Sequence, residues 1–134
     1  MFLLDTGPLG SYLQGRGAAV TLISPWIEDR IVATTLVSYG EVAEYLLGQA
    51  NRLTLEARFR RLLQRIEPLA NDRVVMDRYA VVRRQLRPPY GPGLIGDLDT
   101  IVAATALVRD LTLVTTDSDF RRVPDLKLLV SPPR

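Results

Sequence analysis

Four short apolar runs are separated by longer segments whose apolar residues recur at helical intervals. They are Phe2-Leu3-Leu4, Ile31-Val32-Ala33-Thr34, Leu111-Thr112-Leu113-Val114-Thr115 and Leu126 to Val130. Runs this short suit strands buried on both faces. Parallel strands need crossover connections, and helices are the usual ones, so the pattern predicts an α/β layer fold with a mainly parallel sheet.

The helices can be placed from spacing and capping signals. One is expected over Leu9 to Leu13, after the Gly7-Pro8 turn. A second spans Ala18 to Asp29, where Pro25 must open, kink or split it. Ser38 is the expected N-cap of a third, with Glu41 three residues on as in a capping box and a stop near Gly48. Thr54 is the expected cap of a fourth, carrying Leu55, Phe59, Leu62, Leu63 and Ile66. Asn71 or Asp72 begins a fifth, with Val75, Tyr79, Val82 and Leu86 on its inner face. Pro88-Pro89 ends that helix and Tyr90 to Gly93 forms a loop. Asp97 is the expected cap of a last helix, whose alanines permit close packing on a strand.

What the chain lacks narrows its chemistry. It has 134 residues, no cysteine, no histidine and a single lysine, Lys127. The length suits a single domain over residues 1–134. Disulfides, thiolate zinc sites and imidazole chemistry are all excluded. Oxygen ligands remain, and these suit magnesium, manganese or calcium. No apolar run approaches the roughly 20 residues of a membrane span. No basic segment precedes the first apolar run, so a signal peptide is not expected and the expected location is cytoplasmic.

Four acids fall where chain segments would end at one edge of the sheet. Asp5 closes the first apolar run and Glu41 follows the second. Asp99 opens the alanine-rich helix and Asp117 follows Leu111 to Thr115. Ligands in open α/β sheets collect beyond the carboxyl ends of the strands. Carboxylates gathered there raise one another's pKa unless a counter-charge is present, and a divalent cation supplies it. Each acid also has an ordinary role open to it. Asp99 can complement a helix dipole, Asp117 can serve a turn, and Glu41 can complete a capping box. Thr6, Ser38 and Thr115 can be local backbone caps. Glu44 can share a helix face with Glu41, whereas Asp97, two residues from Asp99, points elsewhere on a helix.

These segments resemble the PIN-domain family of metal-dependent ribonucleases, in particular its VapC-type toxins. The resemblance rests on Phe2-Leu3-Leu4-Asp5-Thr6, Ser38-Tyr39-Gly40-Glu41, Ile95 to Ala104 and Leu113 to Phe120, which occur in order across nearly the whole chain. It implies a three-layer α/β/α sandwich with an acidic metal site. Asp5 and Asp99 would be direct ligands, and Glu41 and Asp117 would ligate directly or through water. Thr6, Ser38, Asp97, Thr115 and Asp119 would support them. It further implies a homodimer that cuts RNA with magnesium, for which manganese can substitute. A small antitoxin partner would block the groove and bring the complex to operator DNA.

Charge is unevenly distributed. Arg52 to Arg87 holds ten arginines against four acids, a local charge of +6, while the remainder has seven basic and eleven acidic residues, −4. A basic middle beside an acidic site suits a polyanion, although solvated arginine-rich helices give the same pattern. Arg83, Arg84, Arg87 and Tyr90, next to the loop leading to Asp99, are the candidate RNA contacts. Trp26 is expected to pack at a subunit or domain surface. Two rival functions remain at this point. One is a PIN-like RNA-binding module without nuclease activity. The other is a small metal-dependent phosphohydrolase, although the lone aspartate in Leu4-Asp5-Thr6-Gly7 lacks the Asp-x-Asp pair of haloacid-type phosphatases and no Gly-rich Walker loop is present.

Overall fold

The structure, a computed structural model, describes residues 1–131. Its strands are β1 (Phe2–Leu4), β2 (Val32–Thr35), β3 (Pro68–Leu69), β4 (Thr112–Thr115) and β5 (Leu128–Val130). The helices are α1 (Thr6–Leu13), α2 (Gly17–Glu28), α3 (Leu36–Leu47), α4 (Arg52–Leu63), α5 (Arg73–Leu86) and α6 (Asp97–Arg109), with a short 3-10 turn at Ser118–Arg122. The strands form one parallel sheet in the order β3-β2-β1-β4-β5. The first strand of the chain is therefore its centre.

Side-chain alternation along the strands creates two cores. Leu4, Val32 and Val114 join Leu9 of α1, Ile23 of α2, Val42 of α3 and Phe59 of α4 on one face. Leu3, Ala33 and Leu113 face the other way, against Val82 of α5, Val102 and Ala103 of α6, and Phe120. The result is a three-layer α/β/α sandwich whose strands are apolar on both sides, as parallel sheets require. Ala103, Ala104 and Ala106 are almost completely buried, consistent with the close packing expected from their small size.

Several boundaries differ from the sequence reading. β2 runs through Thr35, whose extended backbone (φ −111°, ψ 160°) makes it the N-cap of α3. Its hydroxyl accepts the Ser38 N–H at 3.0 Å, so Ser38 lies inside the first turn and is not the cap. Thr54 likewise lies within α4, which begins at Arg52 after Asn51. Gly96, not Asp97, precedes α6, and Asp97 becomes its first helical residue. Pro25 sits inside α2 without splitting it. Its missing N–H deprives the helix of one i→i−4 bond, to the Thr21 carbonyl, and the helix ends within a turn of it. Trp26 stacks on Phe2 at 3.8 Å between ring centroids, so it packs against its own sheet. Asp72 caps α5 as expected, accepting from the Val75 N–H. β3 and the 3-10 turn are absent from the sequence reading, since elements this short carry no period.

Candidate metal centre

Asp5 directly follows β1 and Thr115 ends β4, on adjacent central strands, so their carboxyl ends lie side by side. The Asp5 backbone N–H donates to the Val114 carbonyl at 2.9 Å, continuing the ladder to the edge. α1 starts at the next residue, Thr6. A Cβ on Gly7 would lie 2.9 Å from the Thr116 hydroxyl, so a glycine lets α1 begin this close to the loop after β4.

Hydroxyls at the edge orient the acids. Thr115 donates its hydroxyl to Asp5 Oδ2 at 2.7 Å and accepts the Asp117 N–H at 3.1 Å. Asp117 Oδ1 in turn accepts the Asp119 N–H at 2.8 Å, which opens the 3-10 turn. Across the site, Thr6 donates to Glu41 Oε1 at 2.6 Å. Thr6 and Thr115 thus each hold one carboxylate through a side-chain hydrogen bond.

Electrostatics show which acids face one another. Burial pushes the Asp99 carboxyl up to about 6, with further upward pressure from Asp5, Asp117, Glu41 and Asp119 in that order. Asp5 is 8% exposed. Its pKa is raised first by burial, then partly restored by hydrogen bonds from Thr115 and the Thr6 backbone, with Glu41 and Asp117 raising it again. Glu41, on α3, is among the acids that press on both aspartates.

Other expected residues lie outside the cluster. Asp97 turns to α5, where it pairs with Arg83 at 2.7 Å and lies 3.4 Å from the Tyr79 hydroxyl. Arg84 and Tyr90 line a shallow groove with Gln85 and Pro124. The Ser38 hydroxyl is buried without a hydrogen-bond partner. Thr35 and Thr116 were missed by the sequence reading. The Thr35-x-x-Ser38 spacing could have revealed the first, but only the tertiary approach of Gly7 reveals the second.

The donor set fits a hard divalent cation: all its side-chain donors are oxygens, and the acids raise one another's pKa. Among the described residues, no group of three or more acidic side chains is already arranged to hold an ion unaided. Magnesium tolerates that arrangement because it keeps several waters and takes only one or two carboxylates.

The sequence pattern of the PIN domain matches residues 2–126, from the first strand to the approach to the last. The chain belongs to the PIN-domain family. A relative at 32% identity over 98 residues, Ribonuclease VapC4 of Mycobacterium tuberculosis, places this PIN domain among the VapC-type members. The alignment covers 69% of this chain and 74% of that protein. Solved structures agree on the fold. VapBC2 from Rickettsia felis bound to a promoter DNA fragment superposes with a TM-score of 0.82 at 18% identity, over 96% of each chain. FitAcB from Neisseria gonorrhoeae gives 0.78 at 22% identity, again over 96% of each chain.

Proposed function

We propose that this PIN domain is a magnesium-dependent endoribonuclease, the toxin of a toxin–antitoxin pair, formed by a single domain over residues 1–134. The observation that carries the proposal is the Asp99 carboxyl, raised to about 6 by burial and by four neighbouring acids. Acids that gather at the carboxyl edge of the sheet, with Asp5 buried and Asp99 half-buried, accumulate negative charge that favours a cation. The VapC4 relative supports ribonuclease activity, and likeness to VapC-type members supports the toxin reading.

Asp5 and Asp99 would hold the ion, with Glu41 and Asp117 completing the site directly or through water. A magnesium ion held there would supply positive charge against the phosphate and would lower the pKa of an attacking water. Manganese is expected to substitute. Glu41, held by Thr6, orients the water and accepts its proton. Thr115 keeps Asp5 turned toward the site through their 2.7 Å hydrogen bond. In-line attack leaves a 5′-phosphate and a 3′-hydroxyl. Arg84, Arg87 and Tyr90 form the RNA track; Arg83 is engaged with Asp97 and contributes less. The working unit is a cytoplasmic homodimer. A small antitoxin inhibits it and carries the complex to operator DNA. No helix among the described residues is long and apolar enough to cross a membrane.

The test is to incubate the purified protein with total RNA and with small phosphoesters, each with and without magnesium. Metal-dependent fragmentation of RNA alone is expected. Hydrolysis of the phosphoesters alone would move the protein to the phosphohydrolase class. RNA binding without cleavage would make it a regulatory module.

A further inference from the structure

Beside the acids, a cavity of about 260 Å³ opens between α1 and α3. Thr6 lines this cavity and also donates to Glu41 Oε1, so the cavity begins at the metal centre itself. It is smaller than the roughly 300–1,000 Å³ typical of drug-sized ligands. That size suits one planar group of a longer molecule.

The lining has the chemistry of a base-binding slot. Tyr45 is 44% exposed and offers an aromatic wall. Gln14 Nε2 donates to the Tyr45 hydroxyl at 2.6 Å, which fixes both side chains. That bond leaves Gln14 a second amide N–H and its carbonyl, and leaves Tyr45 its own hydroxyl proton. Ser11 adds another hydroxyl to the lining. A neighbouring amide donor and acceptor match the hydrogen-bonding edge of a base, which a single-stranded RNA exposes. Arg16 lines the same cavity and forms no ion pair among the described residues, so its guanidinium is available to a phosphate. Among the described residues no carboxylate joins the lining.

Resting on the endoribonuclease reading, we infer that this α1–α3 cavity is a nucleotide subsite. It takes the base adjoining the scissile phosphate, stacked on Tyr45 and read by Gln14, with the next phosphate on Arg16. A strand crossing the acids over Thr6 reaches the cavity without a gap. Sequence preference at that position is therefore set by α1 and α3, away from the arginine-rich helices.

Gly10 provides a clean test. It lines the cavity, and a Cβ added there would meet no atom within 4 Å. Gly10→Leu would fill the slot while removing a poor helix former. The full chain with magnesium would be given a pool of short random single-stranded RNAs and the cut ends sequenced. The wild type should prefer particular bases at one position flanking the cut. Gly10→Leu and Tyr45→Ala should lose that preference and raise KM about tenfold, within the range one base stack is worth, with little change in kcat. A melting temperature for Gly10→Leu at or above wild type shows that the fold survives. Unchanged preference and KM in that variant would overturn the subsite.

A second readout does not depend on cleavage. Short RNAs carrying 2-aminopurine should lose fluorescence on binding the wild type and keep it with Gly10→Leu. Quenching without magnesium-dependent cleavage would end the nuclease reading and leave the subsite standing. Cleavage without quenching at any labelled position would do the opposite.

Discussion

The acidic edge and the arginine-rich middle look equally suggestive in sequence, but folding treats them differently. The acids come from positions 5, 41, 99, 117 and 119, yet Asp99 feels the fields of the other four. The arginines are neighbours in sequence, and folding divides them among surfaces apart from the acids. Arg83 pairs with Asp97, Arg52 with Glu56, and Arg58 donates to the Leu13 carbonyl. Arg58, Arg61 and Arg65 line a separate cavity with Tyr12 and Arg30, which contains none of the acids. A parallel sheet brings its strand ends together at one edge, whereas a helix spreads successive residues around its axis. Convergence, not density of charge, marks the site.

The sharpest challenge to this contrast is to remove charge on the acidic side. Asp5→Asn and Asp99→Asn should each abolish magnesium-dependent RNA cleavage while the circular dichroism spectrum is retained. The loss should exceed the roughly 10–100-fold typical of residues that only support metal ligands. Full cleavage by either folded variant would remove that residue from the mechanism. Thr115→Val, which loses the bond to Asp5 and the acceptor for the Asp117 N–H, should fall within that 10–100-fold range. Glu41→Gln should likewise harm cleavage far more than Glu44→Gln. The reverse ranking in a kcat comparison would reassign the carboxylate on α3.

A metal-free protein sharpens the comparison through pH. An ordinary aspartate ionises near 3.8, and folding raises Asp99 to about 6. Below 3.8 the group is neutral in both states and costs the fold nothing. As pH rises from 3.8 to 6 the unfolded chain releases its proton first, so stability falls across this window and stays reduced above it. Asp99→Asn should therefore raise the melting temperature at pH 7.5 in chelator and leave it nearly unchanged at pH 3.5. An equal shift at both values would point to packing as the cause.

The smallest effects belong to the arginines. Replacing Arg84 and Arg87 with glutamine should flatten the log–log salt dependence of RNA binding by about 0.7 for each phosphate no longer neutralised. Adding Arg83→Gln should change the slope little further, because its guanidinium already faces Asp97. Breaking that pair should cost at most about 1 kcal/mol in thermal unfolding, since Asp97 is 70% exposed. A large extra change in slope from Arg83→Gln would show that RNA displaces the pair.

Apolar runs and helical periods determined that this chain alternates strands with helices, and hence that its sheet is largely parallel. The absence of histidine and cysteine limited any side-chain ligands for a metal to oxygens. The acids were legible because each sits at a strand end or early in a helix, positions the topology sends to one edge. Tertiary structure decided the remainder. Whether Thr35 or Ser38 capped α3 depended on where β2 stopped, which its pairing with β1 and β3 sets. Asp97 went to Arg83 because α5 packs beside α6, and Glu41 was separated from Glu44 by the reach of Thr6. The α1–α3 cavity exists because Gly10 leaves space and Gln14 meets Tyr45 across 31 positions of sequence. Local sequence sets periodicity and end signals through short-range sterics and hydrogen bonding. Distances between remote side chains follow only when the packed layers fix them.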